Sequence, residues 1–167
     1  GETPKQQFEY ARNQLGKEVK VSDAFKEGDW IDVIGITKGK GIQGPVKRWG
    51  IRKKFHKARK TVRAVGSIGG WHPHYVLYSV PRAGQTGFHQ RTEYNKQVVK
   101  IGQEGKDVTP KGGFLRYGEI KAEYVMLSGT VPGPARRAIT LRHGARGGEA
   151  AAPPKLDYIS LESAQGR

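Results

Sequence analysis

The sequence predicts a mainly β fold with one amino-terminal helix, arranged as a β-barrel or compact β-domain that carries a long basic looped extension. Three observations lead there. Apolar residues repeat at helical spacing only near the start. About six short runs rich in Val, Ile, Leu and Tyr are separated by Gly/Pro turn clusters. One long segment holds most of the net charge and shows no core pattern.

Taken in order, Thr3-Pro4-Lys5-Gln6 supplies a capping residue, proline at the first helical position and a glutamine spaced for a capping box. Phe8, Ala11 and Leu15 follow at helical spacing and Gly16 is a natural stop, so residues 4–15 are expected to form a helix packed by that stripe. DWIDVIGIT (29–37) reads as a largely buried strand. VLYSV (76–80), YNKQVVKI (94–101), EYVMLSGTV (123–131), RRAITLR (136–142) and LDYISL (156–161) read as further strands. Gly102–Gly105, Pro110–Gly113, Pro132-Gly133-Pro134 and Gly144–Gly148 supply the turns, and AAAPP (150–154) resembles a linker. The expected organisation is a helix and first strand over 1–37, a basic finger over 38–79, a return limb and further strands over 80–143, a linker over 144–155, and a last strand and tail over 156–167.

Composition narrows the function. The 167 residues include 24 glycines, 9 prolines and no cysteine, which excludes disulfides and thiolate metal sites and fits a reducing compartment. No apolar run approaches a membrane span, and the chain, which begins at Gly1, opens on nothing like a secretory signal. The net charge is +15 and is unevenly placed. Between Asp32 and Glu93 there is no carboxylate. That stretch holds Lys38, Lys40, Lys47, Arg48, Arg52, Lys53, Lys54, Lys57, Arg59, Lys60, Arg63, Arg82 and Arg91. The remainder is nearly balanced, with 17 basic and 15 acidic residues. Solubility is served better by mixed signs, so a sixty-residue exclusion of acids points to a polyanionic partner. Trp49, Phe55, Trp71 and Tyr75 interleave with the cations, a pattern that suits RNA, where cations meet phosphates and rings stack on bases. Residues 38–75 thus read as an excursion that orders against nucleic acid.

Some motifs suggest other chemistry. Gly39-Lys-Gly41-Ile-Gln-Gly44 matches the GxGxxG dinucleotide pattern. However, Pro45 and KRWG promise no amphipathic helix to hold a pyrophosphate, and no acid lies some twenty residues on to grip a ribose. His72-Pro-His74 would be the beginning of a metal site only if other ligands such as His56 or His89 joined it. No nucleophile and base stand in a recognisable arrangement, and nothing requires an enzyme.

TKGKGIQGPVKRWG (37–50), GSIGGWHP (66–73), VPRAGQTGFHQRTEYNK (80–96), KGGFLRYGEI (111–120) and MLSGTVPGPARRAITLR (126–142) occur in that order. Together they closely resemble the large-subunit ribosomal protein L-three family in its archaeal and eukaryotic form, over nearly the whole chain. Members continue on the amino-terminal side, so the resemblance implies a carboxy-terminal portion. It also implies an elongation-factor-type β-barrel body, with a looped finger running through large-subunit ribosomal RNA towards the peptidyl transferase centre. The family's RNA-binding role then falls on Lys38, Lys40, Lys47, Arg48, Trp49, Arg52, Lys53, Lys54, His56, Lys57, Arg59, Lys60 and Arg63, on Trp71, His72 and His74, and on Arg82, Gln85, His89 and Arg91. The tip, within 66–74, corresponds to Gly69, Gly70, Trp71, His72 and Pro73, beside the path of aminoacyl-tRNA. A histidine modified in many eukaryotic members corresponds to Arg59, so that modification is not carried over. The implied partners are large-subunit ribosomal RNA and neighbouring ribosomal proteins in the cytoplasmic ribosome, with no cofactor, metal, membrane or small-molecule substrate. The competing reading is a nonspecific nucleic-acid binder outside the ribosome.

Overall fold

The computed structural model describes residues 3–148, 152–163 and 165; the first two residues of the AAAPP segment and part of the tail lie outside them. The chain divides into two compact bodies. One comprises 1–34, 92–131 and 138–167, and the other 35–91 with 132–137.

The first body is built on strands. β1 (Trp30–Ile36), β4 (Gln90–Gly102), β5 (Tyr124–Leu127) and β6 (Thr140–His143) form a four-stranded sheet in the order β5-β4-β1-β6. β6 runs antiparallel to β1, pairing Ile31 with His143 and Val33 with Leu141. β5 runs antiparallel to β4, whose register slips between Val98 and Lys100. At the centre the Val98 N–H donates to the Asp29 carbonyl at 2.9 Å, and the Gly28 N–H donates to the Val98 carbonyl at 2.8 Å. Ile31, Val33 and Val98 are fully buried, and Phe25, Ile101, Val125, Leu127 and Leu141 pack around them. Each fully buried aliphatic side chain contributes about 1.5–3 kcal/mol of transfer free energy.

The sheet is mainly β, as expected, but it is open, with β5 and β6 at its two ends and no closed barrel among the described residues. The reason is visible in two corrections. Residues 76–80 and 156–161 are not strands. Val76, Leu77 and Tyr78 are 43%, 54% and 99% exposed, so their apolar alternation meets no pairing partner. The 156–161 segment is held instead by single contacts such as the Lys111 N–H donating to the Leu161 carbonyl at 3.1 Å. With neither segment in the sheet, no strand links β5 to β6.

The opening helix, α1 (Pro4–Gln14), forms where its signals predict, and the Thr3 N–H donates to Gln6 Oε1 at 2.8 Å. Its apolar stripe is not packed: Phe8 is 69% and Leu15 85% exposed, and no residue of the helix is buried. Local capping and propensity thus account for α1, and burial does not. A short α2 (Val21–Ala24) follows, tied to the sheet body where the Val21 N–H donates to Glu123 Oε2 at 3.0 Å.

The second body has a two-residue ribbon of β2 (Ile42–Gln43) with β3 (Gly84–Gln85), and a five-residue helix α3 (Pro45–Trp49). That helix is short, and the expectation is only that no amphipathic helix to hold a pyrophosphate follows Pro45. Gly44 caps it, Pro45 opens it, and Gly50 ends it in the left-handed conformation at φ 70°. It is little more than one turn long, and no acidic residue lies anywhere in its body.

Candidate nucleic-acid interface

The two bodies divide the charge completely. Residues 35–91 and 132–137 hold fifteen lysines and arginines and no carboxylate; the other body holds fifteen basic and fifteen acidic residues. The whole net charge of +15 therefore belongs to the second body. The ion pairs of Asp32, Glu93, Glu104 and Asp107 are all made with cations of the other body. Like charges concentrated on one small body create a field that attracts a polyanion.

A small set of backbone contacts fixes the base of this body. The Thr37 N–H donates to the His89 carbonyl at 3.0 Å, and the His89 N–H returns a bond to Thr37 Oγ1 at 3.2 Å. Arg137 Nη1 donates to the carbonyls of Ile36 and Thr37 at 3.3 and 3.2 Å, and its guanidinium lies 5.5 Å from the centre of the Phe88 ring. Above this, the Lys40 N–H donates to the Thr86 carbonyl and the Thr86 N–H to the Gly41 carbonyl, both at 2.9 Å. The ribbon needs glycine at position 87, because a Cβ there would lie 1.9 Å from the Lys38 carbonyl oxygen.

The outgoing and returning limbs are clasped by two of the candidate RNA ligands. Arg48 Nη1 and Trp49 Nε1 both donate to the Arg82 carbonyl, at 3.1 and 2.9 Å. The Arg48 guanidinium also lies 5.2 Å from the centre of the Trp49 ring, and a Cβ at residue 84 would collide with that guanidinium at 2.8 Å. Arg48 and Trp49 therefore hold limb to limb, while Trp49 keeps half its surface exposed. Gln85 is exposed, and its Nε2 donates to the neighbouring Thr86 and Gly87 carbonyls at 3.3 and 3.1 Å.

The remaining candidates present charge outward. Lys38 and Lys40 precede the ribbon, Lys47 lies on α3, and Arg52, Lys53, His56, Lys57, Arg59, Lys60 and Arg63 are exposed on an irregular stretch. Lys54 is half-buried there, its N–H donating to the Val62 carbonyl at 3.0 Å. The His56 ring lies 4.0 Å from that of Phe55. Arg82 and Arg91 are exposed, with Arg91 at the start of β4, and His89 is half-buried.

At the far end, Ile68, Gly69, Gly70, Trp71, Pro73, His74, Tyr75 and Val76 line a cleft of about 290 Å³. Trp71 is 81% exposed, its ring 6.0 Å from that of His74, and the His72–Pro73 bond is cis. The His72 and His74 rings lie 4.5 Å apart. No group of three or more His, Cys, Asp or Glu gathers around a metal position among the described residues. Nor is any described helix long and apolar enough to cross a membrane.

Sequence reading overlooked Tyr78, the most exposed large side chain in this stretch, because VLYSV carries a strand-like pattern. It also overlooked Asp32, the one buried charge among the described residues. Its Oδ1 accepts the Asn95 N–H at 3.2 Å, and its Oδ2 accepts the Ala145 N–H at 3.1 Å and Arg142 Nε and Nη2 at 3.1 and 3.0 Å. Burial pushes this carboxyl up, but the backbone donors of Ala145 and Asn95 and the Arg142 guanidinium outweigh that and hold it below its ordinary 3.8.

Comparison with known proteins follows this geometry. The family model described as Ribosomal protein L3 matches residues 1–166. Among curated proteins, the Large ribosomal subunit protein uL3 of Methanocaldococcus jannaschii is 52% identical over 170 residues, covering 100% of this chain and 51% of that protein. Those of Methanospirillum hungatei and Archaeoglobus fulgidus are each 51% identical, over 164 and 169 residues, covering 96% of this chain and 49% of theirs. The chain thus spans about half the length of the curated relatives it matches. With a match from end to end and half of all positions shared, the chain belongs to the ribosomal protein L3 family.

Proposed function

We propose that this chain is a structural, non-catalytic part of the large ribosomal subunit, working in the cytoplasm, and that it binds large-subunit ribosomal RNA through the 35–91 body. The observation that carries this reading is the segregation of charge, with fifteen cations, no carboxylate and six aromatic side chains at least half exposed on one body. Lys38, Lys40, Lys47 and the cations from Arg52 to Arg63 neutralise phosphates, while Arg48 and Trp49 keep the limbs together. The finger is the basic excursion over 38–79, and its tip at Gly69–Pro73 reaches towards the peptidyl transferase centre. Trp71 there lies beside the route of aminoacyl-tRNA, and neighbouring ribosomal proteins meet the other body. The open sheet is this chain's share of an elongation-factor-type barrel.

Each cation that pairs with a phosphate releases condensed counterions. Roughly six to ten such contacts would lose about 10³–10⁵ in affinity between 50 and 200 mM salt. The experiment is a salt titration of the chain against a large-subunit RNA transcript, with unrelated RNA as competitor. A shallow slope refutes the RNA-binding reading. Free exchange onto the competitor at a steep slope would make the chain a nonspecific binder instead. Crosslinking from position 71 in assembled subunits tests the tip, and crosslinks far from the catalytic centre would overturn its assignment.

A further inference from the structure

The body with balanced charge carries its own cationic feature, one that the finger does not account for. Arg142 and Arg146 both stand over the ring of Tyr94, their guanidinium carbons 6.0 and 4.1 Å from its centre. Their backbone is tightly fixed. The Gly144 N–H donates to the Trp30 carbonyl at 2.8 Å, and the Ala145 N–H donates to buried Asp32 at 3.1 Å. A Cβ at residue 144 would come within 2.9 Å of the Trp30 carbonyl oxygen, and one at 147 within 2.8 Å of the Trp30 Cβ. The neighbouring Asn95 N–H fastens the strand beside Tyr94 to the same carboxylate at 3.2 Å.

The result is two guanidinium groups on one aromatic shelf, both open to solvent. Arg142 is 47% exposed although Asp32 holds it, Tyr94 is 39% exposed, and Arg146 is exposed and takes no part in the ion pairs of Asp32, Glu93, Glu104 and Asp107. Asp32 already meets the charge of Arg142, which leaves the exposed Arg146 guanidinium as the group of the pair able to take an outside anion. Guanidinium forks match phosphate oxygens in geometry. A phosphate presented on a polymer would be held at its neighbouring groups as well.

We propose that Tyr94, Arg142 and Arg146 form a second RNA phosphate-binding site, separate from the 38–91 cations and carried by the body of zero net charge. It rests on the reading that this chain binds ribosomal RNA. The test uses the full chain and an in vitro transcript of archaeal large-subunit ribosomal RNA, with affinity measured by filter binding across 50–200 mM salt. Arg146 is exposed, so Arg146→Gln leaves the circular dichroism unchanged. It should lower the slope of log affinity against log salt by about 0.9, the share of one phosphate. A Lys53→Gln, Lys54→Gln, Lys57→Gln triple variant serves as the comparison within the finger. If the parent slope is steep and the triple variant lowers it while Arg146→Gln does not, the second site is wrong and the main reading stands. If the parent itself shows no steep slope, both fall together.

Discussion

Gly87 and Gly41 share a left-handed backbone, at φ +70° and +67°, but differ in what surrounds them. A Cβ on Gly41 meets nothing within 4 Å, so Gly41→Ala should cost only the conformational term, about 1–2 kcal/mol. A Cβ on Gly87 would meet the Lys38 carbonyl oxygen at 1.9 Å, and backbone cannot step aside as a flexible side chain can. Gly87→Ala adds an overpacking term to the conformational one, roughly 3 kcal/mol or more together. Hydrogen exchange at the Lys40 and Thr86 amides, which bond across the ribbon, reads both variants, and equal effects would refute the distinction. Asp32 gives a pH prediction at the same scale. Its folded pKa lies below 3.8, so the folded state holds fewer protons there than the unfolded chain. Its contribution is complete above that value and is lost as pH falls through the folded pKa. Urea midpoints of the parent should therefore fall on acidification below about pH 4, and Asp32→Asn should flatten that decline. An unchanged profile in the variant would mean that other carboxylates carry the acid sensitivity. Asp32 was illegible in the sequence because its partners Asn95, Arg142 and Ala145 lie 63, 110 and 113 residues away.

Elements were legible to the extent that their signals were local. The α1 capping box and the β-branched runs of β1, β4 and β5 declare themselves within a few residues, and the structure contains each. Pairing is not local, and there the reading failed. VLYSV has the composition of a strand and no partner, and a strand without a partner leaves its backbone groups to water. The acid-free stretch was legible for the opposite reason, since charge exclusion is a property of sequence and needs no fold to be seen. The clasp of Arg48 and Trp49 on Arg82 was hidden, because it depends on two limbs meeting across more than thirty residues. The contrast between α1 and the sheet yields a prediction. Phe8→Ala removes a ring that is 69% exposed and should shift stability by less than about 0.5 kcal/mol, whereas Ile31→Ala opens the fully buried core and should cost about 2–5 kcal/mol. Urea denaturation of the two variants decides it; a large loss from Phe8→Ala would mean that the α1 stripe is packed after all.

At the scale of the whole chain, a body of balanced charge and a body with fifteen cations and no carboxylate of its own must respond differently to the same solvent. In the second body every close charge pair is repulsive, so folding it works against its own field. Its regular structure is slight, a two-residue ribbon and a five-residue helix, and few backbone bonds span the stretch between them. Screening should therefore tighten it. Raising the ionic strength from about 0.01 to 0.15 M shortens the Debye length from about 30 to 8 Å, which removes most repulsion between exposed charges more than a few residues apart. Hydrogen exchange at the Lys40, Lys54 and Thr86 amides should slow several-fold over that range in the RNA-free chain. The Val98 amide, bonded to Asp29 in the core of the balanced body, should keep its rate. Equal slowing at Val98 would show a general salt effect and remove the case for self-repulsion. Slowing confined to the second body would show that its own charge loosens it and that neutralisation, which a bound polyanion would supply at fixed positions, tightens it.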